Sequence, residues 1–366
     1  MAAKKFRLTS SEVIRNGEKI FHRLRWNYGI VVCPYCGSVH IKEYDGYRYK
    51  CNSCKNRFSD RTNTLMHGSK LSVGIWMQAI YELCSDNFIS SNVLARKLGV
   101  NQKSAWLLRL KLDMCMKMEG IKMDGVICMD EMYIGGCLSN FHYSRKLALL
   151  RSRHLLSEDS RDYGKDAIFT LNQELKTPVF GMTNGDKVVF HVCPNPIKKE
   201  HIRKLYKRYC NKGCVGVADE SKLYNDWVGE IYTNNHHNNQ YVSSNGYTSN
   251  AIENRFSWFK RGFESRITHC KYTQLYLNEF CFRYNMRNNS TEDIFSELVN
   301  STIGKRITYH SIREYNPIDE VESKATRLKK EIKERKMMKA IKEALTYGYV
   351  TSFTYKHRVY TLEDFK

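Results

Sequence analysis

Two pairs of cysteines and two aspartates at the ends of apolar runs have the residue types and spacing to do chemistry. Cys33-Pro34-Tyr35-Cys36 and Cys51-Asn52-Ser53-Cys54 repeat a C-x2-C spacing. Four such thiolates can surround one tetrahedral Zn2+, and the metal then supplies folding energy that so small a module cannot draw from its core. Iron fits the same cage. The other cysteines are scattered singly, and in a reducing compartment they are thiols rather than disulfides. Asp45-Gly46 lies between Ile41–Tyr44 and Tyr47–Lys50 and predicts a two-residue hairpin that returns the second pair to the first. Ribbons of this kind bind proteins as well as DNA. The neighbouring Lys42, Arg48, Lys50, Lys55, Arg57 and Arg61 favour DNA.

Asp130 closes the run Gly125-Val126-Ile127-Cys128-Met129, and Asp219 closes Cys214-Val215-Gly216-Val217-Ala218. A carboxylate at the end of a buried strand is held rigidly at a sheet edge, where two of them can share a hard divalent cation. Glu253 is the third candidate. Ile252, Phe256, Phe259 and Phe263 follow the spacing of one buried helical stripe. Glu253 and Lys260, seven residues apart, then share a flank of that helix, one suited to metal and the other to phosphate. Asn250 and Glu253 also have the spacing of an N-terminal capping box, which needs no metal. The two roles are compatible.

These groups need elements to position them. A helical lead-in over Ser10–Leu24 precedes the cysteines, and amphipathic segments follow over Ser72–Ser85 and Ile89–Met118. Within the latter, Val93, Leu94 and Leu98 make an apolar face, Gly99 supplies a left-handed turn, and a second helix offers Gln102, Lys103, Ser104 and Arg109 to a DNA groove. A helical hairpin that only packs has the same pattern. Beyond it, short apolar runs at Gly125–Met129, Pro178–Met182, Val188–Cys193 and Val215–Ala218, with a helix over Lys198–Cys210, point to an α/β sheet domain. Cys137–Lys176 interrupts it as a basic insertion or mobile loop. A charged helical pattern runs from Glu320 to about Tyr347 and ends in a short β-like stretch.

The net charge of +21 on 366 residues is distributed as a basic front, a nearly neutral middle and a basic tail. This suits a chain whose ends hold a polyanion while its middle keeps carboxylates for chemistry. No apolar run approaches the ~20 residues that cross a bilayer, and the N-terminus lacks the hydrophobic stretch of a secretory signal. The expected setting is cytoplasmic and nucleoid-associated, with no membrane partner.

Taken together, Cys33 to Cys54, Asp130-Glu-Met-Tyr-Ile-Gly-Gly136, Ala218-Asp219 with Tyr224 after it, Ser249-Asn-Ala-Ile-Glu253 through Lys260-Arg-Gly262, and Tyr276-Leu-Asn-Glu-Phe-Cys-Phe-Arg-Tyr-Asn285 resemble the insertion-sequence transposases that join a zinc ribbon to a DDE integrase core. The resemblance covers roughly residues 20 to 290. It implies a ribonuclease-H-like mixed-sheet catalytic domain in which Asp130, Asp219 and Glu253 bind Mg2+ or Mn2+, with Lys260 as the downstream basic residue. The resulting organisation is an N-terminal helix and zinc ribbon over 1–70, a helix-turn-helix over 71–120, the catalytic domain over 121–290 with its insertion at 137–176, and a basic extension over 291–366. The implied activity is metal-dependent cleavage and strand transfer at inverted-repeat ends and target DNA, by a homo-oligomer on double-stranded DNA. A nuclease of the same fold and a sequence-specific DNA-binding regulator with an inactive core are the alternatives.

Overall fold

The computed structural model describes residues 9–26, 29–85, 88–117, 120–135, 141–157, 170–171, 174–225, 227, 229–234, 248–266 and 272–318, with 342, 346, 353–355, 358–360 and 363 in the tail. Residues 1–315 form one compact unit and residues 316–366 a second.

Helix α1 (Ser10–Arg25) leads into a small antiparallel sheet of β1 (Ile41–Tyr44), β2 (Arg48–Cys51) and β3 (Arg57–Ser59). Tyr44 pairs with Arg48, so the hairpin turn is three residues long rather than two. Gly46 and Tyr47 both take positive φ there, at 72° and 56°, and the extra residue moves Tyr47 out of the strand expected to contain it. Trp26, Val31, Tyr49 and Phe58 make a local core with Cys33 and Cys51.

Helices α2 (Val73–Ser85), α3 (Ser91–Leu98) and α4 (Gln102–Cys115) follow. The Ser90 hydroxyl accepts from Val93 N–H and the Asn101 side chain from Ser104 N–H, so both helices of the hairpin are capped by short polar residues. Gly99 sits between them at φ 63°, ending α3 in the left-handed conformation expected of it. Leu94 and Leu98 are buried and Val93 partly so, against Trp76, Met77 and Ile80 of α2. The same core takes in Phe295, Leu298 and Val299. These belong to a helix over Thr291–Ser301. The sequence alone puts this segment in a basic extension, yet its apolar residues at i, i+3 and i+4 pack into the N-terminal helical body.

The main sheet has the order β6-β5-β4-β7-β8. Strands β4 (Val126–Ile134), β5 (Thr177–Thr183) and β6 (Val188–Val192) form an antiparallel meander, while β7 (Val215–Asp219) and β8 (Ile231–Asn234) run parallel to β4. Between β4 and β5 lies α5 (Tyr143–Ser152), and α6 (Lys199–Tyr209) carries the crossover from β6 to β7. The α7 helix (Asn250–Arg266) and α8 (Thr273–Asn285) pack on one face, where Val179, Val188, Phe190, Ile252, Phe256, Phe259 and Phe280 share a core. This five-stranded mixed sheet is consistent with the expected ribonuclease-H-like domain. The α9 helix (Thr291–Ser301) and a short α10 (Tyr309–Arg313) complete the first unit.

Two expectations change in this domain. The inserted segment contains α5, whose Leu150 is fully buried together with Leu171, so its described part is folded rather than a loop. Strand β4 runs five residues past Met129, so Asp130 lies inside a strand. In the second unit, β9 (Phe353–Tyr355) and β10 (Arg358–Tyr360) pair as a hairpin. The charged helical pattern assigned from Glu320 to Tyr347 falls almost wholly outside the described residues.

Candidate active site

Asp130 owes its position to two ladders that differ in length. On the β5 side β4 is paired through Ile134, with Asp130 opposite Gly181. Toward β7 the parallel pairing ends at Cys128 opposite Val217, which leaves Asp130 level with Asp219 where β7 stops. Strand β4 is thus buried structure on one side and an open edge on the other, and the edge is where a carboxylate can meet a substrate.

Oxygens of Asp130, Glu131 and Asp219 lie within 4.8 Å of one another, and all three residues are half-buried. Two of the three sequence-named carboxylates therefore come together, with Glu131 as the third member. The sequence reading did not name Glu131, and neighbours in a strand ordinarily point to opposite faces. At the free edge beside the end of β7, side chains from both faces of β4 reach Asp219. The available signal was Tyr224, five residues after Asp219. It lies on a turn over Lys222–Tyr224, and its buried hydroxyl donates to Glu131 Oε1. Asp130 Oδ1 accepts from Glu131 N–H at 2.7 Å. Burial pushes the Glu131 carboxyl up to about 7; the Tyr224 hydrogen bond opposes this, and the Asp130 and Asp219 charges add to it. Three clustered carboxylates form a donor set suited to a hard divalent cation.

Glu253 lies in the first turn of α7, exposed, and is not a member of that cluster. Its Oε1 accepts from the Ser249 hydroxyl at 2.8 Å. The capping pair expected of Asn250 and Glu253 is displaced by one residue: Asn250 is already helical, and its N–H donates to Thr248 Oγ1. Ile252, Phe256 and Phe259 are buried as the stripe requires; the Phe263 side chain lies outside the described residues. Lys260 is exposed further along the helix.

The four cysteines also meet, with sulfurs within 4.8 Å of one another. Cys33 and Cys54 are 3.6 Å apart, as are Cys36 and Cys51. Cys54 N–H donates to Cys51 Sγ, and Asn56 Nδ2 donates to Cys54 Sγ. Donation by the Cys54 backbone is the largest influence on Cys51 and draws its thiol down to about 6. The hydrogen bonds to Cys51 and Cys54 favour their thiolates, as a tetrahedral thiolate metal site requires.

Residues 122–285 match the family model of the ISXO2-like transposase domain. This part of the chain, a little under half of it, is similar to the ISXO2-like transposase domain. A relative from Halobacterium salinarum, named as an uncharacterized protein in transposable element ISH50, is 24% identical over 184 residues. The aligned region is 49% of this chain and 58% of that protein. No solved structure matches.

The stretch over residues 276–285, at the end of the matched region, joins it to the helical hairpin. Glu279 of α8 receives Arg109 NH2 at 2.7 Å and Phe88 N–H at 3.3 Å. Arg109 also approaches Asp113 at 3.6 Å and lies over the Tyr276 ring at 5.2 Å. Arg109 is only 3% exposed, which removes it from the residues offered to DNA; its charge is spent inside the protein, where a buried carboxylate needs it. Gln102 and Lys103 remain exposed at the start of α4 and Ser104 half so. In the same motif Arg283 donates to Leu83 O, and Asn285 accepts from Val188 N–H and donates to Val188 O, closing the edge of β6. Among the described residues, no helix is long and apolar enough to cross a membrane.

Proposed function

We propose that this protein is a DNA transposase that binds the ends of its insertion sequence and catalyses metal-dependent strand cleavage and strand transfer. The observation that carries the reading is the meeting of Asp130 and Asp219 on adjacent parallel strands within an ISXO2-like domain. Glu253 is the proposed third ligand. Gly181, the strand partner of Asp130, faces Phe256 and Ile252 of α7, so Asp130 and the first turn of α7 share one face of the sheet. Asp130, Asp219 and Glu253 would hold Mg2+ or Mn2+. Such ions, when bound, favour deprotonation of water or a 3' hydroxyl and neutralise charge at the phosphate.

The protein's own groups supply positioning. Tyr224 holds Glu131 beside the two aspartates, which fixes a fourth carboxylate where it concentrates negative charge and raises cation affinity. Exposed Lys260 and Arg261 on α7 contact phosphates and set register without reading sequence. End selection falls to the ribbon, with Zn2+ in its four-cysteine cage, and to Gln102, Lys103 and Ser104. The protein works as a homo-oligomer on double-stranded DNA, in the cytoplasm and on the nucleoid.

The test is movement of a marker flanked by the gene's native ends, compared for the unaltered protein, Asp130→Asn and Glu253→Gln. The expected result is loss of movement in both variants with end binding retained. Movement by Asp130→Asn would overturn the site. An unaltered protein that binds the ends and moves nothing would make the chain a DNA-binding regulator.

A further inference from the structure

Away from the carboxylates, a recess of about 670 Å3 opens where α7, α8 and α9 meet the end of α2. That volume falls within the ~300–1,000 Å3 of small-ligand sites. Its composition is unusual for a gap between packed helices. The lining includes Arg261, Arg283 and Arg287, and among its described residues there is no carboxylate. Aromatic rings supply most of the rest: Phe88, Phe280, Tyr284 and Trp258.

The floor is built with care. Phe88 stacks on Phe280 with the ring planes 5° apart, and it takes a left-handed backbone, φ 50°, that a bulky residue avoids. Two contacts hold it there: the hydrogen bond from its N–H to Glu279, and its seat on Gly262. A Cβ at Gly262 would lie 2.3 Å from the Phe88 ring, so α7 tolerates no side chain at that point. Trp258 behaves differently. It is 47% exposed at the mouth, with its ring 6.2 Å from that of Tyr284 and the Arg255 guanidinium 5.7 Å from its centre.

We propose that this recess receives one unpaired nucleotide of a DNA strand end, its base against Trp258 and its phosphate on Arg261. The inference rests on the transposase reading above, since it supposes DNA on α7. Arg287 pairs with Asp186 at 3.2 Å and Arg283 donates to Leu83 O, so Arg261, exposed on α7, is the guanidinium best placed to meet an anion. An exposed indole beside aromatic rings selects a planar ring, and an unpaired base can enter a recess to meet it, because no complementary strand or neighbouring pair holds it in a stack. Trp258 follows Glu253 by five residues, or about 7.5 Å along the helix axis. Five residues also turn about 140° around the helix, so a frayed or cut strand end that leaves Glu253 has to cross α7 over a few nucleotides to enter the recess.

The experiment uses the full chain with a blunt duplex and with the same duplex bearing a short single-stranded 3' tail that contains 2-aminopurine. Affinity comes from anisotropy, and stacking from quenching of the 2-aminopurine emission. The tail is expected to tighten binding on the order of tenfold with quenching. Trp258→Ala should lose both effects while keeping the blunt-duplex affinity and the thermal midpoint, and Trp258→Phe should recover part of each. If the tail adds nothing, or if Trp258→Ala keeps the full gain, the recess proposal fails while the DNA reading stands. If the unaltered protein binds neither duplex, the two fail together.

Discussion

Gly181 stands directly across the antiparallel β4–β5 ladder from Asp130, and the space above its Cα is filled by the ring of Phe256. A Cβ at this position would lie 2.5 Å from Phe256 Cε1 and 3.0 Å from Ile252 Cδ1. The missing side chain is what lets α7 descend onto the sheet beside the aspartate. Gly181→Ala should therefore cost roughly 1–3 kcal/mol of stability by overpacking and push the first turn of α7 outward. Urea unfolding would measure the first effect. Metal-dependent strand cleavage under conditions where the variant is fully folded would measure the second, and it should fall well below the unaltered rate.

Arg109 and Lys103 lie on the same helix with opposite fates, and their variants should separate cleanly. Arg109→Met leaves Glu279 and Asp113 buried without their cation and should destabilise by roughly 3–5 kcal/mol. Lys103→Ala should leave the melting temperature within about 1 °C, since surface changes are usually within ~0.5 kcal/mol, while lowering DNA affinity and flattening its salt dependence. Thermal melts and salt-titrated binding on both variants check the division. A stable Arg109→Met with weakened DNA binding would restore Arg109 as a reader.

His191 is buried on β6 with Nδ1 at 2.8 Å from Val192 O. Burial is the main cause that draws its pKa down to about 3. The unfolded chain takes up a proton near pH 6.5 that the folded chain refuses, so this stability is intact above that pH. It is lost as pH falls from about 6.5 toward 3, at about 1.4 kcal/mol per pH unit. The stability gap between the unaltered protein and His191→Gln should therefore shrink between pH 7 and pH 5, which urea titrations at the two pH values would show.

If the four-cysteine cage holds Zn2+ as proposed, removing the metal should act locally. Chelation or Cys36→Ser is expected to release about one zinc per chain and to expose the backbone amides of Val31–Phe58, because the core there is a handful of side chains. Hydrogen exchange should leave β4 through β7 protected, since their core is separate. Uniform loss of protection would contradict this.

Much of the site was readable along the chain because its signals are local. Each C-x2-C pair spans four residues, the apolar run before Asp219 is a single strand, and Ile252, Phe256 and Phe259 follow one helical period. Local spacing cannot say what lies opposite a residue. Nothing in local spacing singles out Glu131, and it joins the aspartates only because β7 ends beside it. Arg109 has the appearance of a DNA reader in its own helix. It is withdrawn by Glu279, 170 positions later in the chain.

By itself, then, the sequence determined the metal-type cysteine cage, the helical hairpin, and the α/β domain with carboxylates at Asp130 and Asp219, all consequences of residue type and short-range period. Tertiary structure alone decided that Glu131 and Tyr224 belong with those aspartates, that Thr291–Ser301 completes the N-terminal core, and that Gly181 and Gly262 are the points where α7 meets the sheet and Phe88. The reason is the same in each case. Burial and close approach are properties of pairs of surfaces, and a chain read residue by residue holds only one surface at a time.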